Sequence, residues 1–366
     1  MSLTVNIMTA TLAPGDAIGN YILTQTAILR RWGVRVRLFA DAVTAGYAET
    51  ALPSRLYQPT GQDILWFHYS IYADNIAIAQ ASPDVKVMDF HGISPPRLFT
   101  GLNPYLEDLC QRGLDMLPHL AKTFAANVVH SDYAAQELIK QGFAESRIHK
   151  LPLVVDLERF GTAEPPPERL DGLLGQLEYL LFVGRLVPQK DILALIEIFA
   201  AVHRQRPDTV LVLVGSAALS NRYEAQIERA IQKNQLTNRV LLLGQENNPK
   251  LLAQIFRHAR FLLVTSEWES FCVPLVEAMY FGVPPVVHHI PPLPAVGGEA
   301  AVVIDKHQPQ TAASEICRLL DDTAAYAQLQ TAARTRAIQF TTPALEAQML
   351  ATLQKIFHHP QLPPTI

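Results

Sequence analysis

Four short apolar runs in the second half of this chain, Tyr179 to Val183, Val210 to Val214, Val240 to Leu243 and Phe261 to Thr265, each lead into a polar loop. Continuous apolar runs of this length suit strands buried on both faces, as in a parallel sheet. Helix-period stretches lie between them. Ile192, Leu195, Ile196, Ile198 and Phe199 share one face, residues 223–231 alternate polar and apolar at helical spacing, and Leu251, Leu252, Ile255 and Phe256 share another face. Strands alternating with helices predict an α/β fold whose ligands bind at the C-terminal ends of the strands. The first half opens the same way, with Leu3 to Met8 as a strand, the turn Gly15-Asp16-Ala17-Ile18-Gly19-Asn20, a helix through Leu23, Ala27, Ile28 and Leu29 to Gly33, and a strand from Val34 to Phe39.

A chain of 366 residues, 49% hydrophobic and 17% charged, has material for two sizeable cores. The Pro165-Pro166-Pro167 run, within residues 161–175, reads as an extended connector between them. The predicted division is residues 1–162, residues 163–342, and a terminal helix over 343–366 with a stripe of Leu345, Met349, Leu350, Leu353, Ile356 and Phe357. Residues 1–160 hold 13 Lys or Arg against 15 Asp or Glu, so each side of that point contributes −2 to the net charge of −4. Neither half reads as a basic nucleic-acid module. Cys110, Cys272 and Cys317 have no CxxC spacing, which fits reduced thiols rather than a disulfide framework or zinc site. The first ten residues lack the cationic flank and apolar segment of a signal peptide, and no apolar run reaches about 18 residues. The expectation is a cytoplasmic protein, with peripheral attachment at the inner face of a membrane compatible with this composition.

Two strand-loop-helix units carry chemistry. In ESFCVPLVEAMYFGVPP, Glu269 and Glu277 flank a loop and a short helix that Pro274 opens and Gly282 with Val283-Pro284 closes. The backbone N–H groups of Phe271, Cys272 and Val273 are expected to form a donor-rich floor at the helix N-terminus. The bland reading is one capping acid and one solvated acid. Upstream, the Tyr179 to Val183 strand runs into Gly184-Arg185-Leu186-Val187-Pro188-Gln189-Lys190. Glycine permits a close turn, Arg185 can bind an oxyanion through two N–H groups, and Lys190 adds a compact charge. By themselves these two cations would be ordinary surface charges.

Glu269-x7-Glu277 with Ala278-Met279 and Gly282-Val283-Pro284, preceded by Gly-Arg-x4-Lys, resembles the signature of retaining GT-B glycosyltransferases of family 4. In the first half the turn containing Gly19, Phe67-His68-Tyr69-Ser70, Phe90-His91-Gly92-Ile93-Ser94-Pro95, Ser131-Asp132-Tyr133 and Leu151-Pro152 through Asp156 are similar to a bacterial branch of that family. The resemblance implies two Rossmann-like domains with parallel sheets facing across a cleft, and a terminal helix that crosses back onto the first domain. It implies an enzyme that moves a sugar from a UDP- or GDP-sugar to a glycan, lipid-linked or other hydroxyl acceptor with retention. Carried over residue by residue, Glu269 contacts the transferred sugar, Phe271, Cys272 and Val273 offer amides, Glu277 holds the ribose, and Gly184, Arg185 and Lys190 bind the diphosphate. Gly19 falls on the donor side, and His91 lies near the donor sugar.

Two departures stand out. Cys272 replaces a glycine common in this loop, which leaves donor identity open, and Leu153-Val154-Val155-Asp156 replaces Asn-Gly-Val-Asp, which bears on an interdomain hinge. No Asp-x-Asp motif occurs, so metal-independent transfer without a cofactor is expected. His119, His130, His149 and His203 read as packed or solvated side chains, and His288-His289 lacks a third metal ligand by spacing. A sugar-nucleotide epimerase or a non-catalytic nucleotide-sugar-binding subunit remains an alternative. A nicotinamide-dependent dehydrogenase fits worst, because GDAIGN is not GxGxxG.

Overall fold

The computed structural model describes residues 3–13, 16–44, 49–153, 155–161, 174–217 and 221–357. Gly15 of the first turn, Val154, the Pro165-Pro166-Pro167 connector and the expected boundary at 162/163 lie outside the described residues. The chain divides into two compact units: Met1–Pro96, Tyr105–Asp156 and Phe340–Ile366 form one, Arg97–Pro104 and Leu157–Gln339 the other.

In the first unit the order is β1 (Thr4–Leu12), α1 (Ala17–Arg31), β2 (Arg35–Val43), β3 (Leu52–Pro53), β4 (Ile64–Tyr69), α2 (Asn75–Ala81), β5 (Val85–Phe90), α3 (Pro104–Leu120), β6 (Ala126–Val129), α4 (Asp132–Lys140) and β7 (Ile148–Lys150). The strands form a parallel sheet in the order β3-β2-β1-β4-β5-β6-β7. The order reverses direction between β1 and β4, the point where open α/β sheets form a crevice. Helix α1 starts where Asp16 accepts a hydrogen bond from the Gly19 N–H at 3.1 Å.

The second unit runs β8 (Tyr179–Val183), α5 (Ile192–Gln205), β9 (Val210–Val214), α6 (Asn221–Lys233), β10 (Val240–Gly244), α7 (Pro249–His258), β11 (Phe261–Val264), α8 (Val273–Tyr280), β12 (Pro285–His288), α9 (Leu293–Gly297), β13 (Val302–Ile304), α10 (Pro309–Asp321) and α11 (Thr323–Ala337). Its sheet is parallel in the order β10-β9-β8-β11-β12-β13. Strands β8, β9 and β11 are apolar along most of their length because helices cover both faces: Leu180, Leu211 and Phe261 are fully buried, as are Ile192, Leu195 and Phe199 of α5. The Val240 run behaves differently. Leu241, Leu242 and Leu243 are exposed, because β10 is an edge strand, paired on one side only.

The last helix, α12 (Thr342–Ile356), belongs to the first unit. Its Met349, Leu350 and Leu353 join a core with Ile7, Leu29 and Trp66. Glu346 accepts hydrogen bonds from Trp32 Nε1 at 2.8 Å and from Arg31 at 2.6 Å, tying α12 to the end of α1. Burial of the three large apolar side chains contributes most to this docking, at about 1.5–3 kcal/mol each, while the half-exposed Arg31 adds little.

Candidate functional site

Strands β8 and β11 are neighbours, so the loops that leave their C-terminal ends lie side by side. Residues 184–191 and 265–272 are those loops. The first begins with a close approach between backbones: a Cβ on Gly215, at the end of β9, would sit 1.8 Å from the Gly184 carbonyl oxygen. Glycine is therefore obligatory at Gly215, and the two strand ends pack main chain against main chain. Gln189 donates its side-chain N–H to the Trp268 carbonyl at 3.1 Å, and the Glu267 N–H returns a bond to Gln189 O at 2.8 Å. Thr265 Oγ1 donates to the carbonyls of Lys190 and Asp191 at 3.2 and 3.0 Å.

These bonds bring Lys190 and Glu269 together. The Lys190 ammonium stands 2.5 Å from Glu269 Oε1, which also accepts the Ser266 hydroxyl at 2.7 Å. Glu269 is buried, so its charge is compensated by an ammonium and a hydroxyl rather than by water. Arg185 is exposed at the other end of its loop.

Helix α8 has the limits read from sequence. Pro274 is in its first turn, and Gly282 ends it at φ 74°, where Arg334 packs so closely that a Cβ would meet its guanidinium at 2.5 Å. Cys272 caps the helix at φ 81°, in the left-handed region that favours glycine. This is the conformational reason a glycine suits the position. Burial pushes the Cys272 thiol well above its usual pKa, and the Glu269 carboxylate adds to that effect against the opposing Lys190 charge. Phe271 is buried and Val273 half-buried at the same turn. Glu277, buried in α8, forms an ion pair with Arg159.

A second polar cluster occupies the first unit. Asp89 near the end of β5 is wholly buried, and its Oδ2 accepts hydrogen bonds from Tyr21 Oη at 3.1 Å and Trp66 Nε1 at 2.9 Å. His130 Nε2 lies 2.9 Å from Asp89 Oδ1, an ion-pair contact outside the geometry of an aligned hydrogen bond. His130 Nδ1 is 2.8 Å from the Leu151 carbonyl, so both ring nitrogens face acceptors.

His68 Nε2 meets Gln25 Oε1 at 3.1 Å, and His68 Nδ1 meets His91 Nε2 at 2.9 Å. With Gln25 Oε1 accepting from Nε2, a neutral His68 accepts at Nδ1 from His91 Nε2. Burial pulls His68 down to about 4 despite the opposing Asp89 charge, with His130 contributing in the same direction as burial. His91 is held well below the ordinary histidine range, again chiefly by burial against the pull of Asp89. Asp89 itself would be raised by burial, but His130, His68 and His91 outweigh this and hold it well below the carboxylate range. The Tyr21 ring sits edge-on to His68, His91 and His130 at 5.3–5.7 Å.

The sequence-derived residues therefore fall into two groups. Gly184, Arg185, Lys190, Glu269, Phe271, Cys272, Val273 and Glu277 gather at the strand ends of the second unit. Gly19 and His91 belong to the first, where the Gly19 N–H is already given to Asp16. Sequence reasoning missed Asp89 and Arg159. The Asp89-Phe90-His91 spacing was the available signal for Asp89, since alternate strand residues share a face, whereas the pairing of Arg159 with Glu277 spans 118 positions without a motif. Among the described residues, His68, Asp89 and His91, and separately His288, His289 and Asp305, each bring ligand-type atoms within 4.8 Å. Asp305 is the third group that spacing along the chain did not reveal.

Residues 172–336 match the model of the family described as glycosyl transferases group 1. HepE from Anabaena, solved with UDP-glucose, superposes with a TM-score of 0.76 over 96% of this chain and 100% of its own, at 19% identity. Sucrose-phosphate synthase from Thermosynechococcus elongatus gives 0.74 over 97% and 99%, at 18% identity. The fold is GT-B.

A D-inositol 3-phosphate glycosyltransferase from Jonesia denitrificans is 27% identical over 245 residues, 63% of this chain and 57% of its own length. A GDP-mannose:cellobiosyl-diphosphopolyprenol alpha-mannosyltransferase from Xanthomonas campestris is 26% identical over 194 residues, 52% of this chain and 48% of its own. The chain thus spans about half the length of the curated relatives it matches. Among the described residues, no helix of this GT-B chain is long and apolar enough to cross a membrane.

Proposed function

We propose that this GT-B chain transfers a sugar from a nucleoside-diphosphate sugar to a hydroxyl acceptor, with retention at the anomeric carbon and without a metal ion. The observation that carries the reading is the convergence of Lys190, Glu269 and Glu277 on adjoining strand ends of the second unit, within the segment that matches glycosyl transferases group 1.

In the reaction the bond between the anomeric carbon and the diphosphate breaks, and negative charge grows on the leaving phosphate. Arg185, Lys190 and the amides of Phe271, Cys272 and Val273 stabilise that charge more strongly in the transition state than before it, which is the condition for raising the rate. Glu269 orients sugar hydroxyls and Glu277 takes the ribose hydroxyls. Because Lys190 is paired with Glu269 and Glu277 with Arg159, donor binding exchanges these ion pairs for contacts to phosphate and ribose. Two cations in place of a divalent ion suit a chain with no Asp-x-Asp motif.

The relatives' names mention UDP- and GDP-sugars and diphosphopolyprenol or diphosphoundecaprenol acceptors. By analogy the donor here is a UDP- or GDP-sugar, the acceptor a glycan, lipid-linked or not, and the site of action the cytoplasm at the inner membrane face. Thermal stabilisation by UDP- and GDP-sugars, followed by nucleotide release on adding acceptor, tests the reading. Nucleotide release that requires acceptor is the expected result. Donor binding without turnover under every acceptor, or epimerisation without nucleotide release, overturns it. In the same assay Glu277→Ala weakens nucleoside-diphosphate affinity in calorimetry, and unchanged affinity removes the ribose role.

A further inference from the structure

Lys306 follows β13, two strands away from β11 in the sheet, and no motif marks it. Its side chain has 0% exposure. The ammonium meets Asp191 Oδ2 at 2.6 Å, the Thr265 carbonyl at 3.2 Å and the Glu267 carboxylate. Three N–H groups thus have three acceptors, and a buried lysine is accounted for in full.

The identity of those acceptors matters more than their number. Asp191 ends the loop that carries Lys190, stands in the left-handed region at φ 46°, and uses its other oxygen to cap α5 through the Ala194 N–H at 3.2 Å. Thr265 and Glu267 begin the loop that carries Glu269. Lys306 therefore fastens both loops to a third strand end, one residue from Lys190 on one side and two from Glu269 on the other. Burial alone would raise the Glu267 carboxyl; its bond and charge contact with Lys306, helped by Arg97 and His307, bring it below its ordinary value.

We propose that Lys306 is a positioning residue, which touches no substrate and holds the Lys190 and Glu269 loops in register for the diphosphate. This rests on the donor-site reading given above. Without the ammonium, Asp191 and Glu267 are two half-buried carboxylates facing each other's loops, and the loops part. The side chain acts through loop position, so its loss affects binding of the diphosphate and turnover while the helices and sheet remain.

The test uses the full chain with Lys306→Met, and the charge-balanced variant Lys306→Met/Asp191→Asn/Glu267→Gln, in which Asn still caps α5 and no carboxylate is stranded. Amide hydrogen exchange reads the loops directly, and calorimetry with UDP and with GDP reads the site. In the balanced variant the amides of residues 188–191 and 265–269 should exchange at least about tenfold faster with the rest of the sheet protected, nucleotide affinity should fall about tenfold, and kcat about 100-fold, the scale of an ångström-level misplacement. Wild-type exchange in both loops, or wild-type nucleotide affinity with a merely lowered Tm, overturns the positioning role. If the wild-type protein binds neither nucleotide, the donor-site reading fails, and the exchange result alone decides whether Lys306 fastens the loops.

Discussion

Both units bury a carboxylate at the C-terminal end of a parallel sheet, but they compensate it with different chemistry. Asp89 is surrounded by three imidazoles, a phenol and an indole, whereas Glu269, Glu277 and Glu267 are paired with Lys190, Arg159 and Lys306. Free imidazoles change charge near neutral pH and burial moves His68 and His91 well below it, while free lysine and arginine keep their charge throughout this range. The first cluster is therefore sensitive to protons and closed around its carboxylate. In the second, the buried Lys306 holds the loops while Lys190 stands on one of them, where an anionic ligand can take over its charge.

The largest expected effect separates structural from catalytic charge. Asp89→Ala strands the Tyr21 and Trp66 donors in a buried site, and should destabilise the first unit by about 2–5 kcal/mol in denaturant titration. A change below about 1 kcal/mol would mean that Asp89 does not hold the Tyr21 and Trp66 donors in the folded unit. Lys190→Ala, in contrast, should lower kcat about 100- to 1000-fold while circular dichroism stays that of the wild type. Near-wild-type turnover would remove Lys190 from the mechanism.

A pH titration then sharpens the contrast. His68 is pulled down to about 4 in the folded chain, from an ordinary value near 6.5. The unfolded chain therefore binds a proton on this ring that the folded chain refuses, and stability falls as pH drops from about 6.5 toward 4. His68 alone accounts for about 3 kcal/mol across that window, and His91 acts in the same direction. Asp89 stays ionised in the folded chain over this range, and its own contribution begins to be lost only as pH approaches 4 and continues below it. Denaturant midpoints measured from pH 7 to pH 4 should decline, and His68→Gln should flatten the slope; an equal slope in both proteins would place the titration elsewhere.

What the sequence revealed follows from the range of the forces involved. Strands β8, β9 and β11, the loop from Gly184 to Lys190, and the limits of α8 at Pro274 and Gly282 all depend on local rules: apolar runs, a missing N–H, a positive φ. The roles of Arg159, Lys306 and Asp89 depend on which strands become neighbours, and no local rule places Lys306 115 positions from Asp191. Exposure of Leu241 to Leu243 escaped for the same reason, since only the strand order makes β10 an edge. His130 reads as an ordinary packed histidine until Asp89 is seen beside it.

The smallest effect concerns Cys272, where local conformation and chemistry diverge. At φ 81° a cysteine carries the strain of the left-handed region, on the order of 1–2 kcal/mol, which glycine would relieve. Glycine also gives the unfolded chain more freedom, which returns roughly 0.5–1 kcal/mol of that gain. Cys272→Gly should therefore stabilise the second unit by about 1 kcal/mol or less, read as a small upward shift of the denaturation midpoint at constant m. The native thiol is buried and held in its protonated form, so alkylating reagents at neutral pH should modify it only as the unit unfolds. Rapid labelling of the folded protein would show the turn at Cys272 to be open to solvent. Destabilisation by glycine would show instead that packing of the sulfur beside Glu269 outweighs the backbone strain. In either case the balance at this one residue would distinguish a loop held by its conformation from one held by its side chains.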